Sequence, residues 1–489
     1  GTSTRTEYDS AGRVLATIDA NNQRTTNEYD AAGRMTAMTD ASGRRTEYTY
    51  DANGNRTKVT LAAGTAQARS TTTTYDALNR ATRIEQPDGS AHSIVFRADG
   101  RKASETDARG VTSSYGYDAT GRLVSVTQSG VATATTYAYD QTGAKTTQTD
   151  AKNHKVSWEF DAGGRPTSRT LPDGQKERFE YDLQGQLTAR TTFGGQRIAF
   201  SYDSVGRQTS QIIAATASTP ARAMQFTYNA DGQRAAYVES GATSSQGNTT
   251  YSYDAQGRLI QLSTPQGTLG WAYDAAGRIS ERSTSEGTTR YQYDGDGRLQ
   301  TLTAPDGKTT SYVYDASGRN TRSEQQLSGS DKLVTERRYD TVDRQIAVAH
   351  SKQSSSGTTL VAGQAITRGQ GGAVSRIDTF DNGASFDAGT GAFSGNPTRV
   401  QTFGYDANAR LQSEKEYKGA DIAALQANVN APATQATTYG YDAVGNRISK
   451  TVTTSAGTES TTYVYDANDR LTSETLSTAT GSTVATTYT

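Results

Sequence analysis

Aromatic residues along this chain come in pairs two positions apart, and most pairs run straight into an aspartate. Tyr115/Tyr117, Tyr137/Tyr139, Phe179/Tyr181, Tyr251/Tyr253, Trp271/Tyr273, Tyr291/Tyr293 and Tyr439/Tyr441 follow this rule, as does the variant Trp158/Phe160. Residues two apart on a strand face the same side, so each pair predicts a β-strand with one aromatic face. The aspartate then opens an Asp-x-x-Gly turn: Asp118 to Gly121, Asp254 to Gly257 and Asp294 to Gly297. A carboxylate at the first position can accept the amides ahead of it, and glycine at the last tolerates positive φ, which predicts a type I turn with a G1 bulge. An arginine follows (Arg122, Arg258, Arg298), then a return strand such as Leu259-Ile260-Gln261-Leu262. Under simple alternation that return strand has apolar residues on both faces.

A second turn closes each unit, often with proline, as in Pro87-Asp88-Gly89, Pro172-Asp173-Gly174 and Pro305-Asp306-Gly307. Proline presets φ and glycine releases the chain from the turn. The Tyr-Asp signal recurs from Tyr8-Asp9 to Tyr465-Asp466, mostly at steps of 20 to 22 residues. Two six-residue strands and two tight turns account for that period. Nineteen or so units imply roughly 38 antiparallel strands, and twist prevents a sheet of that size from staying flat. The expected fold is therefore all-β: a strip of tandem hairpins coiled into a spiral shell or β-solenoid, whose windings cover each other's edges. The pattern leaves the radius open, between a wide hollow spiral and a narrow rod.

Three stretches are distinguished. Residues 1–340 hold regular repeats. Residues 341–402 lack tyrosine and are rich in Gly and Ser, which reads as two degenerate repeats with Phe380-Asp381 as a relic, or as an inserted plug or binding loop. Residues 403–489 resume the repeats. There Ile422, Leu425 and Val429 lie at helical spacing between Asp421, a candidate N-cap, and Pro432, predicting a short helix near 421–431. Ala214 to Ala221 and Ser240 to Asn248 read as long hairpin loops. The chain begins at Gly1-Thr2-Ser3 and stops at Tyr488-Thr489 in mid-pattern, as a segment of a longer protein would.

Composition narrows the function classes. Hydrophobic residues are only 33% of the chain, yet it has 28 tyrosines, so rings rather than aliphatic side chains must supply the buried surface. Fifty basic and 51 acidic residues leave a net charge of −1, which gives no electrostatic footprint for nucleic acid. No apolar run is long enough for a membrane-spanning helix, and without cysteine there are no disulfides or thiolate metal sites.

Candidate chemistry is sparse. The recurrent Asp has the distribution of a turn cap, and the recurrent Arg that of its ion-pair partner or a cation over an aromatic ring. His92, His154 and His350 are far apart, without the spacing of metal ligands. Trp158 and Trp271 occupy ordinary aromatic slots. No nucleophile elbow, phosphate-binding loop or zinc-binding His-Glu-x-x-His helix occurs. The residues singled out are thus structural: Tyr117, Asp118, Gly121 and Arg122; Tyr253, Asp254, Gly257 and Arg258; Tyr293, Asp294, Gly297 and Arg298. Catalytic residues, metal ligands and cofactors are expected to be none.

The Tyr-Asp-x-x-Gly-Arg-Leu pattern resembles the RHS/YD-repeat family: bacterial Rhs polymorphic toxins, the B and C subunits of Tc toxins, and teneurins. The resemblance covers nearly the whole chain. It implies a β-strip wound into a hollow shell, a non-catalytic scaffold of an exported bacterial protein that encloses a toxin or other cargo polypeptide. Such a protein would be secreted or at the cell surface, with its partners the cargo or adjoining parts of a longer chain. The alternative is an extracellular adhesin or stalk that grips carbohydrate or a cell-surface receptor. The Asp-Pro-x-Gly segment that accompanies self-cleavage in family toxins is missing here, since no Asp-Pro dipeptide occurs.

Overall fold

The computed structural model describes residues 4–217, 219–240 and 248–488. The loops expected at 214–221 and 240–248 therefore lie partly outside the described residues, at position 218 and over 241–247. Forty-one strands form one open antiparallel sheet. Each pairs with its neighbours in sequence, from Arg5–Tyr8 with Val14–Ile18 to Leu471–Ser477 with Thr483–Thr487. The one skip is at Val374–Phe380, which pairs with Arg399–Tyr405 across a separate two-stranded hairpin, Ser385–Asp387 with Ala392–Ser394.

The register explains the return strand. Tyr253 pairs with Leu259, Ser252 with Gln261, and Tyr251 with Leu262, so Ile260 is an extra, bulged residue. The same slip separates Tyr293/Leu299 from Gln292/Thr301. A bulge shifts the alternation by one. Leu259 and Leu262 consequently share the face of the two tyrosines, and the apparent two-sided apolar pattern is a one-sided one broken by a bulge. Ile260 points outward and is 37% exposed.

The ribbon coils, and its windings touch. Asn21 Nδ2 lies 3.5 Å from Asp274 Oδ2, Arg44 Nη2 3.3 Å from Asp296, and Arg344 Nη2 2.8 Å from Asp88. Further along, Lys152 Nζ is 3.0 Å from Asp442 and Arg470 Nη2 3.1 Å from Asp173. In every case the Asp-led turn of the later winding, with Gly or Asp at its fourth position, meets the opposite-edge turn of the earlier one. The offset is constant. Between the turns at 19–22 and 274–277 run 23 strands of the sheet, Arg24–Tyr29 through Gly267–Tyr273. Between 86–89 and 340–344 there are again 23, and so it is between 150–153 and 442–445 once the separate hairpin is left out. The number has to be odd, because turns alternate between the two edges and the seam joins opposite edges. At ~4.8 Å per strand one winding is about 110 Å around, a mean diameter of roughly 35 Å. The open question of radius is settled for a wide spiral, which the chain follows for less than two windings.

The irregular stretch continues the sheet. Here the turn on the Asp-x-x-Gly edge is Gly369–Gly372, with Gly369 N–H bonded to Ala373 O and Gly372 N–H to Gly369 O. Arg368 stands in the tyrosine slot, and its Nη2 donates to Gln345 O at 3.0 Å as a tyrosine hydroxyl does elsewhere. Phe380 is on the opposite edge, so it is not a relic of the Tyr-Asp turn. Instead it stacks on Phe393 of the separate hairpin, with centroids 4.3 Å apart. Gly363 lies beneath Phe393, where any Cβ would collide with the ring.

The helix spans Ala420–Ala427. Gly419 at φ 52° is its N-cap, while Asp421 lies in the first turn and accepts the Thr434 hydroxyl at 2.6 Å. Ile422 and Leu425 bury against Val400 and Tyr417, but Val429 lies beyond the helix end and is 80% exposed.

Candidate functional site: the repeat clamp and the winding seam

Where arginine follows it, the Asp-x-x-Gly turn after an aromatic pair is the centre of a clamp between adjacent repeats; Asn55, Ala144, Gln186 and Asn446 stand in that place in other units. Asp118 Oδ1 accepts the amides of Thr120 and Arg122 at 3.0 and 2.9 Å, and Oδ2 accepts Arg122 Nε at 2.8 Å. Arg122 then reaches forward: Nη1 donates to Asp140 O at 2.9 Å, and Cζ lies 5.0 Å from the Tyr139 ring centroid. Tyr139 completes the circuit by donating its hydroxyl to Leu123 O at 2.7 Å. One arginine thus bonds its own turn, the next turn's backbone and the next repeat's ring, which suits a planar guanidinium far better than an ammonium.

The other predicted residues take the same places. Arg258 pairs with Asp254 at 2.7 Å and lies over Tyr273 at 4.5 Å. Arg298 pairs with Asp294 at 2.7 Å and lies over Tyr314 at 4.7 Å. Tyr253 and Tyr293 donate to Arg234 O and Ile279 O at 2.8 and 2.7 Å. Tyr117 differs, because Arg97 replaces Asp in the preceding slot. Its ring has Arg97 and Arg101 at 5.9 and 5.8 Å, and Asp99 binds both guanidinium groups. Gly121 and Gly297 have φ of 87° and 77°, which favours glycine. A Cβ on either would also strike the arginine of the preceding repeat, Arg101 or Arg278.

Electrostatics follow position. The Arg122 amide and guanidinium hold the Asp118 carboxyl well below the usual carboxylate range. For Asp294 burial is the largest influence and pushes upward, yet the Arg298 amide and guanidinium outweigh it and the net shift is down.

The seam adds contacts that local sequence does not disclose. Arg69, nearly buried, bonds Asp343 at 2.6 Å and also Ser317. Asp296, with a side chain 2% exposed, faces Arg44 and Arg298 at 3.3 and 3.0 Å. An open cleft of about 600 Å³ runs along the seam, lined in part by Asp150, His154, Leu171, Val444 and Asp469. The turn itself sets His154 beside Asp150 and the seam adds Asp469, whereas His92 and His350 stay apart from it, near Glu105 and Thr335 respectively. The one local hint was the four-residue spacing of Asp150 and His154.

A family profile described as RHS Repeat matches residues 8–45, 29–66, 98–132 and 160–197. A second, described as Teneurin YD-shell, matches residues 216–323. No curated protein matches the chain. Among solved structures, the crystal structure of TcdB2-TccC3-TEV is 15% identical with a TM-score of 0.63, covering 98% of this chain and 29% of its own. The Tc holotoxin pore of Photorhabdus luminescens is 13% identical with a TM-score of 0.50, covering 99% and 30%. At these identities the likeness is one of fold. This chain spans less than a third of the length of either.

Proposed function

We propose that this chain, a member of the RHS/YD-repeat family, is a length of shell wall that confines a cargo polypeptide and keeps proteases from it. The constant offset of 23 strands carries this reading. It makes the spiral wide enough to have an interior, and it seals one winding to the next by ion pairs and hydrogen bonds between turns. The arginine clamps stiffen the ribbon along its length. Nothing in this mechanism requires turnover, so the Tyr, Asp, Gly and Arg of the motif are assigned structural work. Export, at the cell surface or beyond it, belongs to the same proposal, as does cargo of toxin type.

The clamp geometry favours shell over adhesin. A sugar-stacking platform needs an open ring face, whereas here guanidinium groups sit on ring after ring, from Tyr29 to Tyr441. Small-angle X-ray scattering tests the wall. A solid globule of this length would have a radius of gyration of ~23 Å. A larger value with a bounded maximum dimension supports the shell, and a long tapering distance distribution refutes it. Digestion of the protein carrying a passenger polypeptide tests confinement: a passenger cut as fast as the free polypeptide would sink that part of the proposal.

A further inference from the structure

The winding assembles a metal-ligand set from two places more than three hundred residues apart. Asp150 and His154 flank one turn of the earlier winding, and Asp469 ends a turn of the later one. His154 Nδ1 lies 3.5 Å from Asp150 Oδ2 and 3.8 Å from Asp469 Oδ1, and one ligand atom from each residue lies within 4.8 Å of the others. Ligands held at ~2.0–2.1 Å around a tetrahedral ion are separated by roughly 3.4 Å. The two distances from the imidazole already come close to that.

Three further observations point the same way. His154 Nδ1 is buried and has no hydrogen-bond partner among the described residues, an uncommon state for a buried ring nitrogen. Local charge is unbalanced: Lys152 pairs with Asp442 at 3.0 Å and Asp469 at 3.1 Å, while among the described residues Asp150 has no cation beside it other than His154. The seam cleft is open and lined by all three ligand residues, which gives an ion a way in. Among the described residues this is the one group of its kind.

We propose that Asp150, His154 and Asp469 bind a divalent transition metal ion that clasps the two windings together. One imidazole and two carboxylates suit Zn²⁺ and its neighbours rather than Ca²⁺, which takes oxygen ligands. A fourth position faces the cleft and is left to water. Because the ligands come from both sides of the seam, the ion binds the wound chain and not the unwound one, so binding stabilises the seam by linkage. Lys152 and the Asn446 amide, which donate to Asp469 Oδ1 at 3.1 and 2.7 Å, compete with the ion for that oxygen.

The test is titration of the chelator-treated protein with CoCl₂, followed by visible absorption, and with ZnCl₂, followed by thermal unfolding. One equivalent of Co²⁺ is expected to give the d–d bands of a tetrahedral site, and Zn²⁺ to raise the unfolding midpoint by several degrees. His154→Ala should weaken binding by about a hundredfold and Asp469→Asn, which keeps the side-chain shape, by at least about tenfold. His92→Ala should change neither, and Lys152→Gln should tighten binding. Unaltered affinity in both His154→Ala and Asp469→Asn would overturn the proposal, as would the lack of any Co²⁺ spectrum at millimolar metal.

Discussion

Two sets of the same turn can be compared in this molecule: those from Asp9 to the variant turn at Asn229, which no described winding covers, and those from Asp274 onward, which sit in the seam. Their local geometry is the same. Asp203 and Asp442 each accept the amide four residues ahead through Oδ1, at 2.9 and 2.8 Å. Their surroundings differ. Val205, two residues after Asp203, is 71% exposed, while Val444, in the matching place after Asp442, is half-buried against the seam cleft. Leu78, again in that place, is 68% exposed. Short-range sequence thus builds the turn, and the number of strands per winding decides what the turn touches.

Acid should bring out this contrast most strongly. Carboxylates in both sets have folded-state pKa values lowered from the ordinary one, by backbone amides first at Asp118 and Asp161, and against opposing burial at Asp340 and Asp442. A lowered pKa contributes stability that is present above the unfolded value and lost as pH falls through the folded one. The protein should therefore hold its stability down to about pH 4 and lose it progressively below. Seam turns lose pairs across windings as well, including Arg344–Asp88 and Lys152–Asp442. Hydrogen exchange between pH 5 and 3 should show the turns after Asp274 losing protection before the clamp strands. Uniform loss would mean that the seam carries no separate share of the stability.

The matched valines give the next largest effect. Val444→Asp places a carboxylate in the cleft near Asp150 and Asp469 and should cost about 2–3 kcal/mol, read as a shift in the urea midpoint. Val205→Asp, at an exposed tip, should stay within about 0.5 kcal/mol. Equal costs would mean that the tips of the earlier winding are covered in solution too.

The division between ribbon and seam is also the division between what could be read from sequence and what could not. Strand order, turn type and the pairing of Asp with the following Arg are local, and Tyr117-Asp118-Ala119-Thr120-Gly121-Arg122 spells them out. The arginine's forward reach to the next ring was half-visible, as a choice between ion pair and cation–π contact. The structure gives both at once, because the guanidinium has one edge on Asp118 and its face on Tyr139. The bulge at Ile260 was hidden, since a one-residue slip looks like two-sided hydrophobicity. Arg368 was hidden too: it replaces the tyrosine by hydrogen bonding alone, so Phe380 drew attention to the wrong edge. Nothing local could disclose the seam, because twist accumulated over 23 strands determines which turns meet.

The clamp itself should be indifferent to winding, and the smallest effect tests this. Tyr139 belongs to the earlier winding and Tyr314 to the later; their hydroxyls donate to Leu123 O and Leu299 O at 2.7 and 2.8 Å. Tyr→Phe removes the hydroxyl and leaves the ring under its arginine, at 5.0 Å for Arg122 and 4.7 Å for Arg298. Each carbonyl then loses one donor, at a cost of about 1 kcal/mol. Tyr139→Phe and Tyr314→Phe should therefore lower the urea midpoint equally, within about 0.5 kcal/mol, in contrast to the unequal valines. A clearly larger loss at Tyr314 would show that the seam reaches through the turn into the ribbon, and that the two act as one cooperative unit rather than as a self-sufficient strip that happens to be wound.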